Sequence, residues 1–457
     1  MKHFALFSLL ILPGLLTAQS PVREDAPALK PVMNLEECVA YAQANSPQVL
    51  TLAPQIESLL LQEQLAKEAF FPSVNAQIGE DASFGRSPGV DGVTRDVSSA
   101  NTSFGISASM DLFTGMSRWY SLEKSREALK SRDYIVSDVL DNIALQTVEA
   151  YTTLLLSHQI TGAAEENLAL SQRLLKETEI QVELGKLPIS QKIQIQSQVG
   201  QDELTLAQAK ADEERARRLL LLNMGISDPN VTIEIPQPTP EEIATQVEHY
   251  EPYYRDPEWK LPSTKKSEAD LALADYDIKI AKAAFWPTLS LNGGYSNGYY
   301  YNFGSGVDES LNQSFKDQVS RNGRSFVGLT LSIPIYNKGQ IRGQVRQAEL
   351  QQMNLQSQYI QKTYQDEQNI LLAETDLRKA EDSYRISKQN IAYSQKSLDI
   401  ADLEYRAGRI TSYEWEQAKN NRIQAQASYL QAVYTRLLRT INLTYYHSGK
   451  LPFDLAQ

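Results

Sequence analysis

The stretch Ala69-Phe70-Phe71-Pro72-Ser73-Val74 returns later in the chain as Ala284-Phe285-Trp286-Pro287-Thr288-Leu289. Two further landmarks return in the same order. Met110-Asp111-Leu112-Phe113-Thr114-Gly115 reappears, one residue longer, as Ile333-Pro334-Ile335-Tyr336-Asn337-Lys338-Gly339, and Leu184-Gly185-Lys186 reappears as Ala407-Gly408-Arg409. An internal repeat fixes the architecture before any single motif is weighed. Each copy reads as a helix, two amphipathic strands and a long helical hairpin.

The strands follow the aromatic-Pro landmarks. Val74, Ala76, Ile78, Ala82 and Phe84 alternate with Asn75, Gln77, Gly79 and Ser83, and Phe104, Ile106, Ala108, Met110 and Leu112 alternate with Ser103, Gly105, Ser107 and Ser109. The second copy repeats the design with Leu289, Leu291 and Tyr295, then with Val327, Leu329, Leu331 and Ile333. Period-two alternation means one wet face and one apolar face. Two readings fit it, a soluble sandwich or a bilayer-spanning sheet. The wet face is made of Ser, Gly, Asn and Thr rather than Lys and Glu, which favours the second. Aromatic residues also bracket the strands: Phe70, Phe71, Phe113, Phe285, Trp286 and Tyr336 at one end, Tyr299, Tyr300, Tyr301 and Phe303 at the other. Aromatic girdles mark the two edges of a bilayer. Polar, Gly-rich loops are expected at about 86–102 and 304–325, facing water.

Asn34 and Glu37 form a capping-box pattern that starts a helix expected to run to about Phe70 and to stop before Pro72. A second helix of this kind is expected over about 264–286. After each strand pair comes a helix without proline. Val136, Leu140, Ile143, Thr147, Ala150 and Leu154 keep four-three spacing. Leu377, Ala380, Tyr384, Ser387, Ile391, Ser394, Leu398, Ala401 and Tyr405 keep it over several heptads, a coiled-coil seam. From Met116 to Leu184 is roughly 70 residues, about 100 Å of helix at 1.5 Å per residue. Each rod turns back at a glycine, with return helices expected at 189–224 and 412–446.

The resulting domain plan has a signal peptide at 1–18, an extended leader at 19–33, a first repeat at 34–225, a Pro-rich connector at 226–263, a second repeat at 264–446 and a tail at 447–457. The signal peptide rests on Lys2, the apolar run Phe4 to Leu16 and the small-residue site at Thr17-Ala18-Gln19. The connector, with its many prolines, is expected to wrap outside the core.

Composition narrows the class. Of 457 residues, 22% are charged, too many for a bundle of membrane helices. Lys and Arg number 44 against 56 Asp and Glu, which argues against a nucleic-acid partner. The one cysteine, Cys38, lies inside an apolar helical pattern and reads as a small buried hydrophobe, so no disulfide holds the chain. Catalysis finds no support: His3, His158, His249 and His447 form no ligand-spaced cluster, and there is no phosphate loop or nucleophile elbow. No enzyme activity, cofactor or metal is expected. The pairs Tyr253-Tyr254 and Tyr445-Tyr446 read as packing or interface belts.

A bilayer-spanning sheet must close, because lipid cannot satisfy an open edge. Four strands cannot close alone, since about eight is the practical minimum. A dimer would supply eight strands with a filled interior, and a trimer twelve with an aqueous lumen. The small wet-face residues favour the trimer. The fold class is therefore mainly α with a small β part, internally duplicated, with long coiled-coil hairpins that the same symmetry would assemble into a hollow tube and four strands per chain contributing to a trimeric twelve-stranded barrel. The other class that fits is a soluble periplasmic coiled-coil scaffold with a small sheet.

These features together resemble the TolC-type outer-membrane factor family of Gram-negative bacteria. The likeness covers Asn34 to about Tyr446 and rests on Leu35-Glu36-Glu37-Cys38-Val39, Ala42, Asn45 to Pro47, both aromatic-Pro landmarks, Asp111 to Gly115, Pro334 to Gly339 and both glycine turns. It implies an outer-membrane homotrimer with a twelve-stranded transmembrane β-barrel and a long periplasmic α-barrel formed by the coiled-coil hairpins. It also implies an exit duct for efflux or type I secretion, docked at its tips to a periplasmic adaptor and an inner-membrane pump or transport ATPase. Family tips resemble Leu-Gly-x-x-Ser. Here the candidates are Leu184, Gly185, Lys186 and Ser190 in the first turn, and Gly408, Arg409 and Thr411 in the second, where Ala407 replaces the leucine. Plain helix termination explains the glycines equally well. The resemblance also implies an acidic ring at the pore entrance, for which Glu414 and Glu416 stand in place, although Gln191 occupies the equivalent position of the first repeat. A solvated helix face is the alternative there.

Overall fold

The structure, a computed structural model, describes residues 29–88, 93–96, 98–228, 230–249, 259–303 and 312–452. The expected signal peptide, most of the leader and Tyr253-Tyr254 lie outside these residues. The elements in chain order are α1 (Leu35–Asn45), α2 (Pro47–Leu50), α3 (Leu52–Glu68), β1 (Ser73–Ser83), β2 (Arg86–Pro88), β3 (Thr94–Asp96), β4 (Ser98–Thr114), α4 (Ser117–Lys130), α5 (Arg132–Glu183) and α6 (Ile189–Asn223). They continue with α7 (Pro240–His249), α8 (Pro262–Ala283), β5 (Thr288–Phe303), α9 (Phe315–Arg321), β6 (Arg324–Ser332), α10 (Gln340–Arg406) and α11 (Ser412–Ser448). The chain is mainly helical with one four-stranded antiparallel sheet. Among the described residues no helix is long and apolar enough to cross a membrane. Backbone contacts divide the chain into two compact units.

The first unit draws on 1–53, 139–259 and 370–457. Its core joins Leu35, Cys38 and Val39 of α1 to Tyr151 and Leu155 of α5, Leu220 of α6, and Tyr434, Leu437 and Ile441 of α11, all buried. Each such aliphatic side chain contributes about 1.5–3 kcal/mol by leaving water. The expected capping box starts α1: Asn34 Oδ1 accepts from the Glu37 N–H at 2.9 Å, and Glu37 Oε2 accepts from the Asn34 N–H at 3.1 Å. The seam expected along α10 is seen, with Leu377, Ala380, Tyr384, Ser387, Leu398, Ala401 and Tyr405 buried. Tyr445 is buried and donates to Asp141 Oδ2 at 3.0 Å.

Two expectations for this unit are corrected. The helix expected over Asn34 to Phe70 breaks at Ser46, whose ψ of 140° is extended because Pro47 follows it. The connector was expected outside the core, but Ile233, Ile235, Ile243, Ala244 and Val247 belong to it. The segment around Ile233 pairs in parallel with the leader, the Met33 N–H donating to Glu234 O at 3.0 Å and the Glu234 N–H to Pro31 O at 2.8 Å.

The second unit draws on 54–138 and 260–369. Its sheet has the order β1-β4-β5-β6, so the central pair joins the two repeats. Register separates the faces in most rows, although Phe326 shares a row with Asn75, Ser107 and Gly294, and Asn297 lies opposite Phe104. Val74, Ala108, Gly293 and Val327 lie across one row, while Ser73, Ser109, Asn292 and Gly328 lie across a row on the other face. Helices α4 and α8 pack together, with Lys124 Nζ 2.5 Å from Asp277 Oδ1. The expected loop over 86–102 is largely strand: β2 and β3 pair, and Ser99 of β4 pairs with both Ser83 and Asn302. Two-sided pairing overrides the weak strand propensity of Ser and Asn there. The second expected loop carries α9. The rod after β4 is interrupted at Ser131, whose hydroxyl donates to Ala128 O at 2.7 Å, a local bond that competes with the helical ladder.

Both strand-to-helix exits use two successive left-handed residues, Gly115 and Met116 (φ 61° and 72°) in one repeat, Lys338 and Gly339 (φ 56° and 80°) in the other. The duplication read from sequence is thus carried into backbone geometry. At Gly115 a side chain has no room, since a Cβ would lie 2.3 Å from Ala283 O.

Candidate functional site

The hairpin turns of the first unit share one helix-ending motif. α5 ends on a Schellman motif in which the Gly185 N–H donates to Val182 O at 3.0 Å and the Lys186 N–H to Gln181 O at 2.9 Å. α10 ends the same way, Gly408 to Tyr405 O at 2.9 Å and Arg409 to Glu404 O at 2.8 Å. Gly185 and Gly408 have φ of 68° and 69° with open space around a notional Cβ, so the backbone alone demands glycine. Leu184, Gly185, Lys186 and Ser190 are exposed, as are Gly408, Arg409 and Thr411. The structure thus brings each set together at its own turn, with cations Lys186 and Arg409 at matching positions.

The two acidic candidates separate. Glu414 is exposed and closes a capping box: the Thr411 N–H and Oγ1 reach its Oε2 at 2.8 and 3.0 Å. The Thr411 backbone N–H, helped by the hydroxyl, holds its carboxyl below the ordinary glutamate range. Glu416 instead turns between helices, its Oε2 accepting from Gln194 Nε2 of α6 at 3.1 Å while its buried Oε1 has no partner. Burial pushes its carboxyl up, against the pull of the Gln194 amide and the Lys419 ammonium. Its geometry is that of a half-buried interhelical group.

Beneath the turns lies a small core of which sequence reading caught only the α10 side, Leu398, Ala401 and Tyr405. Trp415 is 1% exposed and packs with Leu174, Ile195, Leu398 and Tyr405. Just behind it Lys419, fully buried, bonds the Asp202 carboxylate and the Ser171 hydroxyl. The signal was present: Ser412, Trp415, Lys419, Arg422 and Gln426 follow three-four spacing along α11, which puts Lys419 on a seam.

The girdle candidates belong to the second unit. Phe70 lies under the Arg118 guanidinium, 4.9 Å from its ring centre. Phe113 pairs with Leu289 across the β4–β5 ladder, and Phe71, Phe285, Trp286 and Tyr336 are exposed. Arg118 also donates to Ala69 O at 3.0 Å and to Asp111 O, tying the aromatic-Pro landmark to the strand end. Among the described residues no three His, Cys, Asp or Glu side chains gather as metal ligands.

The chain matches the outer membrane efflux protein family over residues 39–225 and 261–446. It is similar to the outer membrane protein TolC of Escherichia coli K12, 23% identical over 433 residues that cover 91% of this chain and 82% of that protein. It is also similar to the pyoverdine export outer membrane protein OpmQ of Pseudomonas aeruginosa, 22% identical over 425 residues, 90% of this chain and 84% of the other. The fold is that of the CmeC outer membrane channel of Campylobacter jejuni, with a TM-score of 0.72 at 16% identity over 92% of this chain and 86% of that one. CusC gives a TM-score of 0.70 at 20% identity, covering 91% and 92%. The family match falls on both repeats, includes both hairpin turns and takes in all four long strands, and the chain therefore belongs to the outer membrane efflux protein family.

Proposed function

We propose that this outer-membrane channel protein works as a homotrimer, a passive exit duct of a tripartite efflux or type I secretion system. The observation that carries the reading is the sheet. Among the described residues β1 pairs only with β4 and β6 only with β5, leaving two open edges, one apolar face and one wet face. Joining β6 of one copy to β1 of the next removes both edges, and three copies give a twelve-stranded barrel with a lumen lined by small polar residues. A second feature supports oligomers: Ile386, Tyr393 and Ile400 are 57%, 69% and 57% exposed and recur along α10 off the seam it uses within the chain. Such a stripe takes a neighbouring copy.

In this reading the girdle aromatics sit at the bilayer edge, and the tips at Leu184 to Ser190 and Gly408 to Thr411 dock a periplasmic adaptor. An inner-membrane pump or transport ATPase supplies the energy. The half-buried Glu416 leaves Glu414 as the acidic group at the pore entrance. The test is extraction and conductance. Detergent-dependent extraction, trimers in cross-linking and single-channel currents in planar bilayers are expected. A monomer that stays in solution without detergent and passes no current overturns the reading and leaves the periplasmic scaffold. For the tips, Gly185→Pro or Gly408→Pro is expected to lower adaptor binding while trimers persist; unchanged export by Gly408→Pro sinks the docking role.

A further inference from the structure

The two open edges of the sheet are out of step. Straight across the ladder, Gln77 of β1 is level with Gly105, Ser296 and Arg324, the residue on which β6 begins. Ser73, on which β1 begins, is level with Gly328, and β6 runs on to Ser332. Copies set side by side without an offset would bring only Ser73 to Gln77 against β6. Ile78 to Ser83 of one copy and Leu329 to Ser332 of the other would stay single.

Closure into a barrel supplies the missing offset. Strands in a closed barrel tilt, and the tilt shifts each copy along its neighbour. A shift of about four or six residues sets the whole of β6 against β1 of the next copy. Over three copies this corresponds to strands tilted by about 35–45°. An odd shift would turn one copy's wet face toward lipid. A smaller or larger even shift leaves one end of β6 unpaired.

Charge then decides what meets at the seam. Each edge strand carries one ionised side chain on its wet face, Asp81 on β1 and Arg324 on β6. Both are exposed, and neither has a hydrogen bond or ion pair among the described residues. At the shorter shift Arg324 stands directly opposite Asp81 of the next copy. At the longer shift it stands opposite Ser83, and Asp81 is the diagonal neighbour, about 7–8 Å away and within reach of so long a side chain.

We propose that Arg324 of each copy pairs with Asp81 of the next on the lumen side, and that this contact selects the register at which three sheets close. The inference rests on the homotrimeric barrel proposed above. A solvated pair adds little stability. Its weight lies in excluding wrong pairings, because the same contact recurs at all three seams and like charges there repel at each.

The test is survival of full-chain trimers on heating in detergent, read on gels. Native trimers are expected to dissociate at one temperature. Arg324→Asp and Asp81→Arg each set like charges at every seam and are expected to lower that temperature, less so in high salt. The swap, Arg324→Asp with Asp81→Arg, is expected to recover more than half of the summed loss. Should the charge variants fail to assemble, cysteines in a Cys38→Ala background give a second reading. Thr330→Cys is expected to form intersubunit disulfides with Asn75→Cys or Gln77→Cys, the partners that the two shifts allow, and not with Ser73→Cys or Gly79→Cys. A swap no better than the single variants overturns the proposal, as does cross-linking at position 73 or 79. Native protein that is monomeric before heating fails the barrel reading itself, and the ion pair with it.

Discussion

Gln318 pairs with both backbone groups of Tyr300. Its Oε1 accepts from the Tyr300 N–H at 2.9 Å, and its Nε2 donates to the Tyr300 carbonyl at 2.8 Å. The side chain stands where the next strand would. β5 runs to Phe303, but its ladder with β6 ends at Ser296. Asn312 repeats the device at Asn302, with bonds of 3.0 and 2.7 Å, and Asn322 donates to Gly298 O at 2.9 Å. Alternate residues of the free edge are thus satisfied by amide side chains, and the edge is closed to stray strands. Gln318→Ala is expected to remove about 1–3 kcal/mol of local protection. Amide exchange at Tyr300 should rise roughly ten- to a hundredfold, while Leu291, paired with Leu329, stays as slow as before. Equal exchange at both positions would refute the role of Gln318.

Gly115 and Gly408 share a left-handed backbone but differ in surroundings. A Cβ on Gly408 meets nothing within 4 Å, whereas on Gly115 it lies 2.3 Å from Ala283 O and 2.7 Å from Trp286 Cβ. Gly408→Ala therefore carries only the conformational cost, about 1–2 kcal/mol. Gly115→Ala adds displacement of the end of α8 and is expected to cost several-fold more, with a clear loss of folded yield. Thermal melting of the two variants ranks them, and an equal loss would show that the contact at Ala283 relaxes freely.

What sequence reading caught and missed follows from the kind of signal each residue carries. Pro72 and Pro287, and the turn glycines Gly185 and Gly408, act locally, so their positions along the chain could be read directly. The seam of α10 was legible because its period holds over many turns. Lys419 was not, because a lysine on a three-four seam reads as solvated until its partner is known, and Asp202 lies in another hairpin. Glu416 looked acidic and accessible for the same reason. Gln318 has no periodic signal at all, since its partner is backbone. The break at Ser46 was readable from Pro47 and was overridden by the apolar pattern on either side. In the connector, the prolines outweighed the alternation of Val231, Ile233 and Ile235, which was the better guide to burial.

Cys38 offers a probe of the first unit. It is 0% exposed, and burial pushes its thiol up to about 12. It makes no more than a long contact, 4.0 Å, with Met33 O. A thiol that is neutral and covered does not react with maleimides. Native protein is expected to resist N-ethylmaleimide and to label only as the core around Tyr151 and Leu437 opens in denaturant. Labelling should therefore track loss of helical signal. Rapid labelling of folded protein would mean that α1 detaches from α5 and α11 on its own.

The last prediction concerns acid. Glu416 is raised by burial, so the folded chain binds its proton more readily than the unfolded chain does. Stability from this group is fully present below the ordinary glutamate range, and it is lost as pH rises through the raised folded value. At neutral pH the ion is a liability, with Oε1 buried and unpartnered. Glu416→Gln removes the charge and keeps an oxygen to accept from Gln194. The variant is expected to melt above native protein at pH 7.5, and the gap should close as pH falls toward the ordinary glutamate range. Glu414→Gln should behave in the opposite sense, since the Thr411 N–H stabilises that carboxylate: a loss at pH 7.5 that fades on acidification below the ordinary range. Melting curves of both variants across pH 4 to 8 decide the matter. Parallel shifts of the same sign would show that the two glutamates share one environment, against the geometry at Gln194 and Thr411.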